Sequence, residues 1–251
     1  MSNDLATISY AGKVATLTLQ RPDARNALSL DLLRTLHTCL DELATKSDAH
    51  VCVITGAGRA FCAGMDLREV LDDDRAAHTL LHSLAELTLK IRALPMVTLA
   101  KVQGAAIGGG CGLACVCDIA LTHADSKMGY PEVDMGVCPA VVAPWLVRKI
   151  GPGKARKVLL TGGLMSGQQA FDIGMVDILA PSLAELDTLA DTTIQRLAQG
   201  GPHALRATKD LLNRIDGSND AEIVKRGADL SAKIVSMPET RAVLRAKLER
   251  K

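Results

Sequence analysis

The pattern of apolar residues changes character once along this chain, and that change limits the folds open to it. Up to about residue 121, short β-branched runs alternate with helical periods. Residues 14–19, Val-Ala-Thr-Leu-Thr-Leu, read as a strand, as do residues 51–55, 97–102 and 119–121. Between them Leu32, Leu33, Leu36, Leu40 and Leu43 recur at helical spacing behind Ser29, a helix-capping residue. Leu80, Leu81, Leu84, Leu87 and Ile91 mark a second helix over 76–93, which Pro95 ends. From about residue 140 the strand signal nearly vanishes, and helices are predicted over 142–161, 183–199, 202–214 and 219–249. Strand and helix in alternation predict an α/β body, here followed by a helical C-terminal part. The 251 residues, 48% of them hydrophobic, supply enough apolar material for a large core.

Composition excludes several function classes. Lys and Arg number 29 against 28 Asp and Glu, a net charge of +1, so no broad basic surface is available for nucleic acid. Five aromatic residues in all are too few for a base-stacking platform. Seven cysteines form no regular disulfide framework, and several sit in apolar runs such as Val51-Cys52-Val53. Met1-Ser2-Asn3-Asp4 lacks the basic-then-apolar pattern of a signal peptide, and no apolar run reaches membrane-spanning length. A soluble, cytoplasmic protein without membrane or nucleic-acid partners is expected.

Two glycine-rich loops carry the chemical information. Residues 58–67 read Gly-Arg-Ala-Phe-Cys-Ala-Gly-Met-Asp-Leu, and residues 104–112 read Gly-Ala-Ala-Ile-Gly-Gly-Gly-Cys-Gly. Neither contains the dinucleotide fingerprint G-x-G-x-x-G or a phosphate-binding P-loop. Each follows a buried strand. Glycines permit close backbone approach, and a run of them opening a helix aims free N–H groups at an anion or a developing oxyanion; tight packing between layers is the alternative.

The loops belong to a longer series. Arg21-Pro22-x-x-Arg25-Asn26-Ala27-Leu28 precedes them; Cys117-Asp118-Ile119 and Pro131-Glu132-Val133-x-x-Gly136 follow. In this order, over residues 8–180, the chain resembles the enoyl-CoA hydratase/isomerase (crotonase) family. The resemblance implies an α/β crotonase-like spiral of ββα turns with a helical C-terminal trimerisation region. The boundary is expected near residue 195: a core over 1–195 and a helical region over 196–251. It implies an acyl-CoA substrate, no further cofactor and no metal, and a homotrimer or dimer of trimers.

Site residues follow from the same resemblance. The backbone N–H groups of Met65 and Gly109 fall where the family holds the thioester oxygen, and Gly109 lies near the start of a predicted helix, Gly110–Val116, whose positive end favours the same charge. Arg25, Ala63, Asp66 and Leu67 fall where the family contacts coenzyme A. For Arg25 a solvated surface position is the alternative, and for Asp66 a loop-fixing role. Glu132 falls on one of the family's two catalytic glutamates. In an apolar pocket its pKa should rise towards working pH, which suits proton transfer.

The other glutamate position is Gly112. This departure leaves the reaction open. Hydration of a 2-enoyl-CoA is the leading expectation, because hydratases of the branched or glutaconyl type resemble this chain over Glu132-Val133-x-x-Gly136-x-x-Pro139-Ala140. A single-glutamate isomerase, shifting a double bond from position 3 to 2, is the alternative. A non-catalytic acyl-CoA-binding subunit is a third reading, from another class. Ala140 stands where dienoyl-CoA isomerases and chlorobenzoyl-CoA dehalogenases need an aspartate, which weakens both. His78 and His82 lie one helical turn apart, but the H-E-x-x-H motif is absent; they read as two partly exposed histidines on a pocket-covering helix. Cys111 and Cys115 read as small residues packing a helix, and Asp134 as pointing away from the acyl pocket.

Overall fold

A computed structural model describes residues 5–46, 48–72 and 74–249. Met1-Ser2-Asn3-Asp4, Arg250 and Lys251 lie outside the described residues.

The chain opens on a hairpin, β1 (Ala6–Ala11) and β2 (Val14–Leu19), and continues into α1 (Leu30–Ala44). As predicted, Ser29 caps α1, its hydroxyl accepting from the Leu32 N–H at 3.1 Å. Next come β3 (Val51–Gly56), β4 (Ala60–Cys62), α2 (Leu67–Asp72) and α3 (Asp74–Ala93). Two further turns follow, β5 (Val97–Val102), β6 (Ala105–Ile107) and α4 (Gly109–Val116), then β7 (Ile119–His123), β8 (Lys127–Gly129) and α5 (Ala143–Thr161). The chain closes through β9 (Leu164–Ser166), α6 (Gly167–Asp172), β10 (Ile178–Ala180) and helices α7 (Leu183–Ala198), α8 (Pro202–Ile215), α9 (Ala221–Val235) and α10 (Pro238–Glu249).

Successive turns feed two sheets. The larger runs β1-β2-β3-β5-β7-β10 and the smaller β4-β6-β8-β9. All pairings are parallel except the first hairpin and β8 with β9. Parallel strands are covered on both faces, which is why β3 is buried along its whole length and opens on four apolar residues in a row, Val51 to Ile54. The α/β spiral with C-terminal helices is therefore present.

Two sequence expectations are refined. The span 142–161 bends at Gly151, whose φ of 79° breaks the helix before Pro152. The span 219–249 is two helices, separated where Pro238 opens α10. Short strands β9 and β10 also lie beyond residue 140. At three residues each they are too brief to carry a period.

Asp118 locks the layers together. Its Oδ2 accepts from the Thr98 N–H at 2.7 Å and sits 2.8 Å from the Lys209 ammonium, while Oδ1 pairs with Arg92 at 3.2 Å. One carboxylate thus joins β5, α3 and α8. The helical C-terminal part folds back over the core, with α9 packed along α3.

Candidate functional site

The first glycine-rich loop is drawn against the segment after β2. The Leu28 N–H donates to the Gly64 carbonyl at 2.8 Å, and the Asp66 N–H donates to the Leu28 carbonyl at 2.9 Å. These bonds hold Gly64 and Asp66 and leave Met65 between them. The Ala63 N–H donates to the Arg25 carbonyl at 3.0 Å. Gly64 sits at φ 89°, and a Cβ there would meet the Ile107 carbonyl oxygen at 2.7 Å and the Gly109 nitrogen at 3.6 Å. Only glycine lets the two loops approach this closely.

The second loop turns at Gly108, φ 55°, directly into α4. The first intrahelical bond runs from the Gly112 N–H to the Gly108 carbonyl at 2.9 Å, so the Gly109 N–H lies in the unsatisfied first turn. Among the described residues, neither the Met65 nor the Gly109 N–H has a hydrogen-bond partner. The helix starts at Gly109 itself, one residue earlier than the sequence implied, so its positive end points from that amide.

Glu132 reaches the same place from β8. Tyr130 is fully buried under α4, its hydroxyl 3.4 Å from Cys115 Sγ, which fixes the strand end. The Pro131 carbonyl then accepts from the Asp134 N–H at 3.1 Å. The Glu132 carbonyl accepts from the Met135 and Val137 N–H groups at 2.9 Å each, and this tight turn clamps the residue. Its side chain lies against Gly108: a Cβ there would stand 2.7 Å from Oε1. The residue is only 7% exposed, and Oε2 is buried without a hydrogen-bond partner. Burial raises its pKa from 4.5 to about 7, against a smaller opposing effect of its own backbone amide.

Met65, Gly109 and Glu132 line one narrow cavity. Its other walls are apolar, chiefly Leu81, Leu84, Val137, Val141 and Val142, with Ser231 the added polar side chain. Sequence reasoning placed the helix that carries Leu81 and Leu84 over the pocket but did not find the other walls. Ser231 comes from α9, where its hydroxyl donates to the Cys138 carbonyl at 2.8 Å and accepts from the Ala140 N–H at 3.2 Å. One turn earlier Gly227 lies so close to the Ala140 carbonyl that a Cβ would overlap it. The small-residue spacing Gly227-x-x-x-Ser231 was the legible signal for this docking.

Gly112 explains the missing glutamate sterically. A Cβ on Gly112 would overlap Val142 Cγ1 and stand 2.8 Å from Val142 Cβ. Val142 thus fills the space into which a side chain at 112 would project, and a second carboxylate there requires the wall to move.

The coenzyme A candidates lie on the first glycine-rich loop and on the segment it is drawn against. Arg25 is exposed at a left-handed φ of 53°, beside Asn26, also left-handed and fully buried. Asp66 ion-pairs with Arg21 at 3.2 Å and accepts from the Arg68 N–H at 3.3 Å, consistent with fixing the loop. Leu67 opens α2. Asp134 accepts from the Gly163 N–H at 2.9 Å. Among the described residues no cysteine forms a disulfide; Cys111 contacts Met175 Sδ at 3.8 Å and is fully buried, as a packing residue.

Comparison with known proteins decides the family. A model of "Enoyl-CoA hydratase/isomerase" matches residues 9–251. The chain belongs to that family. As a member it is an enzyme acting on acyl-CoA. Similar relatives include the 2,3-dehydroadipyl-CoA hydratase of Escherichia coli, 37% identical over 208 residues, covering 82% of this chain and 81% of that one. An enoyl-CoA hydratase of Alternaria alternata is 35% identical over 217 residues, covering 86% and 72%. Among solved structures, an enoyl-CoA hydratase/isomerase from Marinobacter aquaeolei superposes with a TM-score of 0.80 at 29% identity, covering 98% and 97%. An enoyl-CoA hydratase from Bacillus halodurans, at 22% identity and TM-score 0.89 over 96% and 99% of the chains, shares the fold.

Proposed function

We propose that this enzyme hydrates a 2-enoyl-CoA with Glu132 as its one catalytic carboxylate. The observation that carries the reading is the unpartnered Glu132 Oε2, buried in a cavity that two free N–H groups also line. The ionised carboxylate takes a proton from water as the water oxygen bonds to C3. The electron pair of the double bond moves onto the thioester oxygen, where the Met65 and Gly109 N–H groups stabilise the enolate. Glu132 then returns the proton to C2. A carboxyl group with pKa about 7 suits both transfers at neutral pH. Two aimed donors matter because losing one oxyanion donor typically costs about 10²–10³ in rate. The relatives named as hydratases support the same direction.

One observation favours a second reading. With Val142 over Gly112 no second carboxylate holds the water, and a single base suffices to take a proton from C2 and return it at C4. Ultraviolet absorbance of the conjugated thioester separates the two. Hydration removes conjugation from a 2-enoyl-CoA; isomerisation creates it from a 3-enoyl-CoA and leaves the 2-enoyl-CoA unchanged. Binding without turnover of either would support the non-catalytic subunit instead.

Arg25, Ala63, Asp66 and Leu67 are proposed to meet coenzyme A. The proposed acyl group is branched or glutaconyl-like, from the likeness over residues 132–140. A homotrimer, alone or paired, is proposed because large apolar side chains stay exposed on the C-terminal helices; Ile215 is 73% exposed and Leu211 57%. Light scattering of the purified protein tests the trimer. No helix among the described residues is long and apolar enough to cross a membrane. The thiols, none in a disulfide among the described residues, support the cytoplasm as the compartment.

A further inference from the structure

The contact between α3 and α9 holds a cluster of side chains with metal-ligating chemistry. His78 and His82 lie one turn apart on α3, with ring centroids 4.1 Å apart and planes within 26° of parallel. Asp229 of α9 meets them: its Oδ1 is 2.9 Å from His82 Nε2. A ligand atom from each of the three residues lies within 4.8 Å of the other two. Asp229 is 147 positions from His82, so the sequence shows a histidine pair one turn apart without its third ligand. The fold supplies the third ligand.

We propose that His78, His82 and Asp229 bind a divalent transition-metal ion of the zinc type, with solvent completing the coordination. Two imidazole nitrogens and one carboxylate oxygen suit Zn²⁺ and its first-row neighbours better than Ca²⁺ or Mg²⁺, which favour oxygen alone. Helical histidines at i and i+4 share one face, so small side-chain rotations converge their nitrogens. His78 is exposed and His82 and Asp229 are solvent-accessible, so an ion can reach the site from outside. The ion joins two helices that also wall the Glu132 cavity: Leu81 and Leu84 come from α3 and Ser231 from α9. Its role is to clamp α9 to α3, apart from the acyl chemistry.

The test is titration of chelator-treated, full-length protein with Zn²⁺ by calorimetry and thermal melting. One ion per chain should bind, raising the melting temperature by roughly 5–10 °C at a zinc concentration about 100 times Kd. Replacing the exposed residue by His78→Ala should weaken zinc binding at least about tenfold, leaving the metal-free melting temperature unchanged because the His82–Asp229 pair remains. Co²⁺ in place of Zn²⁺ should give visible ligand-field bands without a thiolate charge-transfer band. Equal zinc binding by wild type and His78→Ala, a thiolate band, or no binding at all would overturn the proposal.

Discussion

Val142 lies directly over Gly112, with its Cβ 2.8 Å from where a Cβ at residue 112 would stand. An alanine in the middle of a helix normally stabilises it relative to glycine by about 1 kcal/mol. Here the sign reverses. Gly112→Ala should destabilise the protein by about 1–3 kcal/mol through overpacking. In the Val142→Ala background much of that penalty should disappear, giving a coupling of about 1 kcal/mol in urea denaturation. Strictly additive effects would refute the contact.

Gly108 faces the Glu132 carboxyl with φ 55°. Gly108→Ala places a methyl group 2.7 Å from the undisplaced Oε1 and strains the backbone by about 1–3 kcal/mol. The carboxyl must shift, so kcat should fall at least about tenfold while the protein stays folded by circular dichroism. Unchanged kcat in a folded variant would show that the carboxyl position is not critical.

Burial of Glu132 makes stability depend on pH. Its carboxyl ionises near 4.5 when unfolded and near 7 when folded. Between these values the folded state holds the extra proton, so stability contributed by this group falls as pH rises from about 4.5 to 7. The difference of about 2.5 pH units corresponds to about 3 kcal/mol. Glu132→Gln should therefore gain stability relative to wild type above pH 7, by up to about that amount, and the gain should fade below pH 4.5. A gain independent of pH would contradict the assigned ionisation.

Catalysis should follow the same ionisation with the opposite sense. The proposed base form is the carboxylate, so kcat/KM should drop about tenfold per pH unit below pH 7 and level off above it. A profile that stays flat down to pH 5 would mean another group does the work.

The sequence was most legible where one residue type satisfies one steric demand. Gly64 and Gly108–Gly110 marked backbone built for close approach, and Glu132 was legible only through the family resemblance of the motifs around it. Ser29 marked a helix start because capping is local. Less legible were strands of three residues, too short for a period, and features that depend on distant chain. Val142 over Gly112, Ser231 in the cavity wall and Asp229 beside His82 each join segments that only the fold brings together. The missing glutamate could be seen in sequence; the reason it is missing could not.

The central claim is that Glu132 alone moves the proton of an enoyl-CoA hydration. The most direct measurement follows the conjugated absorbance of a 2-enoyl-CoA with wild type and with Glu132→Gln. Wild type should bleach it, and the variant should do so at least about 10² times more slowly while still binding the thioester. Bleaching at the wild-type rate by Glu132→Gln, or no bleaching by wild type, would contradict the claim.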